Sequence, residues 1–186
     1  MGGKPKVPLL VKLPYHPMTM KPLAERFLSE RSHKVGETIQ FGWFVFKIVE
    51  SGLQPRIQSL DFRQIASFTD DFTEAERIHS LQTEALKRIA ASESPCSLRQ
   101  SALVSVSYSP ERNDVFIERQ QAGSGNDSGW YVGVFDDNLD MNDTASFTHR
   151  SLYELTIHDM RMAPFWLFPP GSIVNLSKQE IQFKYT

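Results

Sequence analysis

The chain holds one cysteine, Cys96, among 186 residues, so no intrachain disulfide can form and a reducing compartment suits it. It also lacks any run near the ~20 apolar residues that a membrane-spanning helix requires. The segment Val7-Pro8-Leu9-Leu10-Val11 is short and broken by proline, unlike the apolar centre of a secretory signal, so the expected location is the cytoplasm. Basic residues are missing from one long interval: no Lys or Arg lies between Arg119 and Arg150. That interval carries Asp127, Asp136, Asp137, Asp140 and Asp143, a run of one sign that either forms a solvated loop or steers a basic partner. The formal net charge is only −2, which gives no global reason to expect a nucleic-acid or membrane partner.

Constellations for catalysis are equally sparse. His16, His33, His79, His149 and His158 are dispersed, with no second histidine or cysteine at zinc-ligand spacing. Nothing beside Cys96 points to a lowered thiol pKa, so a buried structural thiol is expected there. No lysine and no clear helix start follow Gly123-Ser124-Gly125, which excludes a phosphate loop or a dinucleotide fingerprint. The spacing Asp136-Asp137-x-x-Asp140-x-x-Asp143 lacks the alternating ligands, central glycine and closing glutamate of a calcium-binding EF-hand loop. Asp127 and Ser128 could join His149 or His158 in a hydrolytic triad, but no nucleophile elbow accompanies them. The expectation is a protein without enzymatic activity, cofactor or metal.

What the chain does contain is regular periodicity. Proline at 5, 8, 14 and 17 makes residues 1–20 an extended arm, and Lys4, Lys6, Lys12 and Lys21 make this end basic. Residues 21–186 read as a single α+β domain. A short helix is predicted from Lys21 to Arg31, with Pro22 in its first turn and Leu23, Phe27 and Leu28 on one side. Glu37 to Val49, with Ile39, Phe41, Trp43, Val45 and Phe46, reads as one strand covered on both faces, ended by Ser51-Gly52. Gln54 to Phe68 fits helix or strand equally. From Thr73 to Ala91, the spacing of Ile78, Leu81, Ala85, Leu86 and Ile89 predicts an amphipathic helix, with Thr73-x-x-Glu76 as a capping box and Lys87-Arg88 near its negative end.

Beyond Cys96 the period changes to that of strands. Leu103 to Tyr108, Val115 to Glu118 and Trp130 to Phe135, joined by a turn at Pro110 to Asp114 and by a glycine-rich turn, predict an antiparallel meander. A short helix is expected within Ser151 to Asp159. The apolar stretch Met162 to Phe168 stops at Pro169-Pro170-Gly171, and one or two last strands follow between Ser172 and Tyr185. The predicted fold is α+β, a mostly antiparallel sheet with the long amphipathic helix packed on one face.

The centre of this pattern is Asn126 to Asp137, where a tight turn, an aromatic strand and an acidic loop follow one another. In one reading Asp127 and Ser128 bond their own backbone, Gly129 supplies conformational freedom and Trp130 plugs a core. In the other, the aspartates from Asp127 to Asp143 form one face of a recognition surface. Asp127-Ser128-Gly129-Trp130, the acidic stretch, Ser151-Leu152-Tyr153-Glu154-Leu155 and Pro170-Gly171-Ser172, taken in order, resemble a family of small bacterial immunity proteins. Such proteins are encoded beside polymorphic or type VI secretion toxins and protect the producing cell. The resemblance covers roughly residues 100 to 182, and it departs from the family where Tyr131-Val132-Gly133-Val134 replaces the charged run after the tryptophan. It implies a protein that neutralises a cognate toxin by covering its active site or substrate access; with no secretory signal visible, a toxin acting in the cytoplasm is expected, which favours a nuclease over a cell-wall hydrolase. Asp127, Asp136, Asp137 and Asp140 are the expected electrostatic contacts, and Trp130 supports their loop. The other reading is a small regulatory or interaction domain unrelated to toxins. Pairing of two copies through a sheet edge fits either.

Overall fold

The structure, a computed structural model, describes residues 20–29, 32–52, 55–140 and 142–184. The expected extended arm lies outside the described residues except for Met20, which opens the first helix. That helix, α1 (Met20–Ser29), buries Met20 and Ala24. A four-stranded antiparallel sheet follows in sequence order: β1 (Thr38–Phe41), β2 (Phe44–Val49), β3 (Arg56–Leu60) and β4 (Phe68–Thr69). The segment expected to be one strand is therefore a hairpin. Phe41 pairs directly with Phe44, and Gly42, at φ +57°, reverses the chain between them. The apolar run misled because Phe41, Trp43, Phe44, Val45 and Phe46 are buried on both sides of the turn. The ambiguous stretch before the long helix resolves into β3, a turn and β4.

The long helix α2 (Thr73–Arg88) forms as its periodicity requires, burying Ala75, Ile78, Gln82 and Ala85. Its predicted capping box does not. The N-cap is Phe72, without a side-chain cap; Asp71 accepts from the Thr73 N–H at 3.0 Å, while Glu76 Oε1 accepts from the Met20 backbone N–H at 2.9 Å. The glutamate has been diverted to hold α1. The helix also ends earlier than Ala91, because Ala90 adopts φ +50° and the Ala91 N–H reaches back to the Leu86 carbonyl, closing the last turn.

The C-terminal half builds a six-stranded sheet from β5 (Ser101–Ser105), β6 (Val115–Arg119), β7 (Asp127–Val134), β8 (Phe147–Ser151), β9 (Ser172–Asn175) and β10 (Glu180–Phe183). Their order is β10-β9-β6-β7-β5-β8. The predicted meander is thus broken at one place: β7 lies between β5 and β6 and runs parallel to β5, every other pair being antiparallel. Short connections implied sequential pairing, but the 106–114 connection carries the chain past the position that β7 later fills. The fold is α+β, with two sheets where one was expected.

Helix α2 and the helical turn Met160–Phe165 lie between these sheets. Phe72 and His79 of the α2 region meet Phe46 and Phe44 of β2, and the Gln82 side chain donates to the Ala163 carbonyl at 3.0 Å. Ala163 belongs to the 3-10 turn Met160–Phe165, which follows α3 (Leu152–His158). Ser151 caps α3 by accepting from the Glu154 N–H. Trp166, just beyond, packs edge-on against Trp130 of β7, with ring centroids 5.4 Å apart. One continuous core runs through both sheets and the helical layer.

Candidate functional site

Every residue of Asp127-Ser128-Gly129-Trp130 is committed to holding β7 in place. Asp127 Oδ1 accepts from the Gly129 N–H at 2.7 Å, and its Oδ2 accepts from the Gln121 amide at 3.0 Å. Ser128 Oγ donates to the Ser101 carbonyl at 2.8 Å and accepts from the Trp130 N–H. Gly129 sits at φ +73°, where an added Cβ would overlap the Gln121 carbonyl just past β6, so the position demands glycine; the pairing of β5 with β7 is also irregular here. Trp130 is 1 % exposed and its indole N–H donates to the Trp166 carbonyl at 3.0 Å. Expected as support for the acidic loop, it supports the core instead and offers a partner no surface. Ser128 is fully buried with its hydroxyl spent on backbone, so it cannot serve as a nucleophile.

The Trp166 carbonyl is a junction. It accepts from Trp130, from Arg119 Nη1 at 3.1 Å and from the Cys96 thiol at 3.1 Å. Arg119 is itself fully buried over the Trp130 ring, and its remaining donors go to the Gln121 and Pro95 carbonyls. Burial pushes the Cys96 thiol up to about 11, against a weaker opposing effect of Arg119. A thiol in that state is neither a ready nucleophile nor a metal ligand. Among the described residues no group of three or more His, Cys, Asp or Glu side chains is placed to hold a metal ion.

The aspartates are not brought to one face. Asp127 opens β7, whereas Asp136, Asp137 and Asp140 follow its far end, and seven residue steps of strand separate those ends by roughly 23 Å. Asp136 is exposed, at φ +58°. Asp137 accepts from the hydroxyls of Ser105 and Ser107, at 2.9 and 3.2 Å, which ties the loop to the end of β5. Asp140 accepts from the Asn142 N–H and Asp143 from the Ala145 N–H, so both order their own loop. The true acidic end therefore comprises Asp136, Asp137 and Asp140, joined by Asp114, whose carboxyl is held below its usual range by the Arg112 guanidinium that bonds it.

Sequence reasoning missed the outer face of the six-stranded sheet. Alternation sends Val115, Ile117 and Arg119 of β6, and Trp130, Val132 and Val134 of β7, into the core. Their neighbours Phe116, Glu118 and Tyr131 point the other way, away from the helical layer. There Phe135 meets Phe116 at 4.9 Å, Phe116 meets Tyr131 at 5.8 Å, and Tyr131 meets Phe147 at 6.1 Å. A Cβ on Gly133 would stand 2.6–2.7 Å from the Phe116 and Tyr131 rings, so these rings close over the glycine. Tyr131 is consequently 7 % exposed while Phe135 remains 39 % exposed. Burial raises the Tyr131 hydroxyl pKa, so the ring stays neutral. The signal was available in the β6 alternation, where an aromatic occupies the face opposite the aliphatic one.

At the acidic end of this face a groove of about 480 Å³ opens between the ends of β7, β9 and β10, lined by Asp114, Phe135, Asp136, Ile173, Lys178 and Glu180 among others. No helix among the described residues is long and apolar enough to cross a membrane. Comparison with protein-family models, with curated proteins and with solved structures yields no match for this chain.

Proposed function

We propose that this chain is a cytoplasmic immunity protein that binds a cognate secreted bacterial toxin and blocks its active site or substrate access. The observation that supports this reading is the outer face of the six-stranded sheet: four aromatic rings, each touching the next, with no helix or strand among the described residues packed on them, beside an acidic end. A face of this kind suits a protein partner, since aromatic anchors supply affinity and a charged border supplies orientation and speed of encounter. The order of motifs in the C-terminal half, which resembles the immunity family, adds the identity of the partner. A toxin acting in the cytoplasm, with a nuclease foremost, would present a basic cleft built for phosphate, and the carboxylates after β7 would occupy it.

The test is co-expression with the product of the adjacent gene in a bacterial cytoplasm, read by survival, by co-purification and by the state of cellular nucleic acid. Relief of toxicity with a stable complex supports immunity, and degradation of DNA or RNA only in the absence of this chain supports the nuclease target. Rescue with nucleic acid intact throughout keeps immunity and removes the nuclease. No toxicity and no complex favours a regulatory or interaction domain unrelated to toxins, which would use the same face.

A further inference from the structure

The groove beside Phe135 has a composition that the rest of the outer face does not share. Its floor is apolar, from Phe135 and Ile173, and Phe135 is among the few large hydrophobic side chains exposed on the described surface. Its walls come from three connections at one end of the sheet. Asp114 stands just before β6 and Asp136 just after β7, while Glu180 begins β10. Among the described residues Lys178 is the one cationic side chain on the lining, and Asp114 is already bridged to Arg112, so Asp136 and Glu180 outnumber Lys178 and leave the space negative. Asp137, bound by two serine hydroxyls, adds a fixed negative charge behind Asp136. An exposed aromatic ring between carboxylates is a receptor for a flat cation. A guanidinium gains from the ring face and from the carboxylates together, whereas a neutral side chain of the same shape keeps the contact and loses the charge-assisted part of both.

We infer that this groove receives an arginine side chain projected by a basic protein partner, with the Phe116–Phe135 pair packing beside it as the apolar part of the same contact. The inference rests on the reading above for the partner's identity, and it adds where the partner is held and by what chemistry. It moves the contact away from Asp127, which lies at the opposite end of β7, and it gives Asp140 no direct part. The acidic loop then steers the approach while the groove fixes the register.

The test needs no toxin. The full chain, labelled for amide chemical shifts, is titrated with the capped peptide Gly-Arg-Gly and separately with its citrulline counterpart, which keeps the shape and loses the charge. The expected result is a saturable shift centred on Asn113, Asp136, Ile173 and Gln182, at least about threefold stronger for arginine than for citrulline and weakened by added salt. In the doubly substituted Asp136→Asn, Glu180→Gln chain, whose changes lie on the surface and leave the melting temperature in place, the difference between the two peptides disappears. Equal responses to arginine and citrulline, or shifts scattered over other surfaces, overturn the inference. So does concentration-dependent dimerisation in sedimentation that protects the same amides, since the groove would then belong to a second copy of this chain. A positive titration alongside failed co-expression rescue would retain the arginine groove and discard the toxin as its partner.

Discussion

Trp130 and Tyr131 are adjacent in the chain and have opposite employment. On the inner face of β7, Trp130 is sealed against Trp166 and beneath the guanidinium of Arg119, with its indole N–H bonded to a carbonyl. On the outer face, Tyr131 lies among the rings of Phe116 and Phe147, on which no other element among the described residues packs. The side chains of a strand alternate, so one residue step separates stability from recognition. The difference teaches that the aromatic content of this region cannot be assigned to one role. The inner indoles are held by hydrogen bonds, Trp130 to the Trp166 carbonyl and Trp166 to the Thr156 hydroxyl, whereas the outer rings are held mainly by one another.

The comparison can be broken most severely at the inner face. Trp130→Ala should cost about 3–5 kcal/mol in denaturant unfolding, because a large buried ring and its bond to Trp166 are lost together. If the loss were under about 1 kcal/mol, the inner face would not be the stabilising one. Gly129→Ala should cost about 2–3 kcal/mol, since the new methyl group meets the Gln121 backbone and the residue must hold a positive φ. Gly133→Ala is milder, at about 1–3 kcal/mol, because the atoms it meets are side-chain rings that can turn aside. That change should also disturb partner binding, which Gly129→Ala at the far end should affect only through folding.

Phe135→Ala sharpens the contrast from the other side. Unfolding should change by under about 0.5 kcal/mol, while affinity for the partner falls about tenfold or more. The smallest effect concerns acid. Burial lowers the pKa of His79, at the edge of Phe44, below its ordinary 6.5, so the folded protein holds this ring neutral where the unfolded chain takes up a proton. The stability it contributes is complete above pH 6.5 and is lost as the pH falls through the folded value. The ion-paired carboxylates Asp61, Glu74 and Asp114, held low by Arg63, Arg77 and Arg112, act only at more acid pH. His79→Phe should therefore flatten the dependence of melting temperature on pH just below 6.5, with no change in partner binding.

Much of the fold was legible because it is written in local periodicity. The α2 helix, the strands β6 and β7, the short α3 helix and the closing β9–β10 pair all follow from spacing within a few residues. What was illegible depended on distant partners. Glu76 looked like half of a capping box until Met20 claimed it, and Glu37 to Val49 looked like one strand because no local rule distinguishes a doubly covered strand from a hairpin whose tight turn is flanked by buried residues. The insertion of β7 between β5 and β6 depends on the whole sheet being assembled. In the site, the sequence joined the acidic loop to Asp127 by proximity along the chain, and an extended strand turns that proximity into separation. The β6 alternation showed Phe116 opposite the aliphatic face, but which ring it meets, Phe135, depends on how β6 and β7 pair.

The junction at Trp166 has a consequence for how the molecule breathes. Its carbonyl gathers donors from Cys96, Arg119 and Trp130, so no one of these can swing out without loosening the site shared by the others. The lone thiol is thereby wired to the opening of the C-terminal half as a whole. A thiol-specific reagent added to the native protein would register excursions of the entire assembly, and the labelling rate of Cys96 would be a clock for those rare excursions, built in without any added probe.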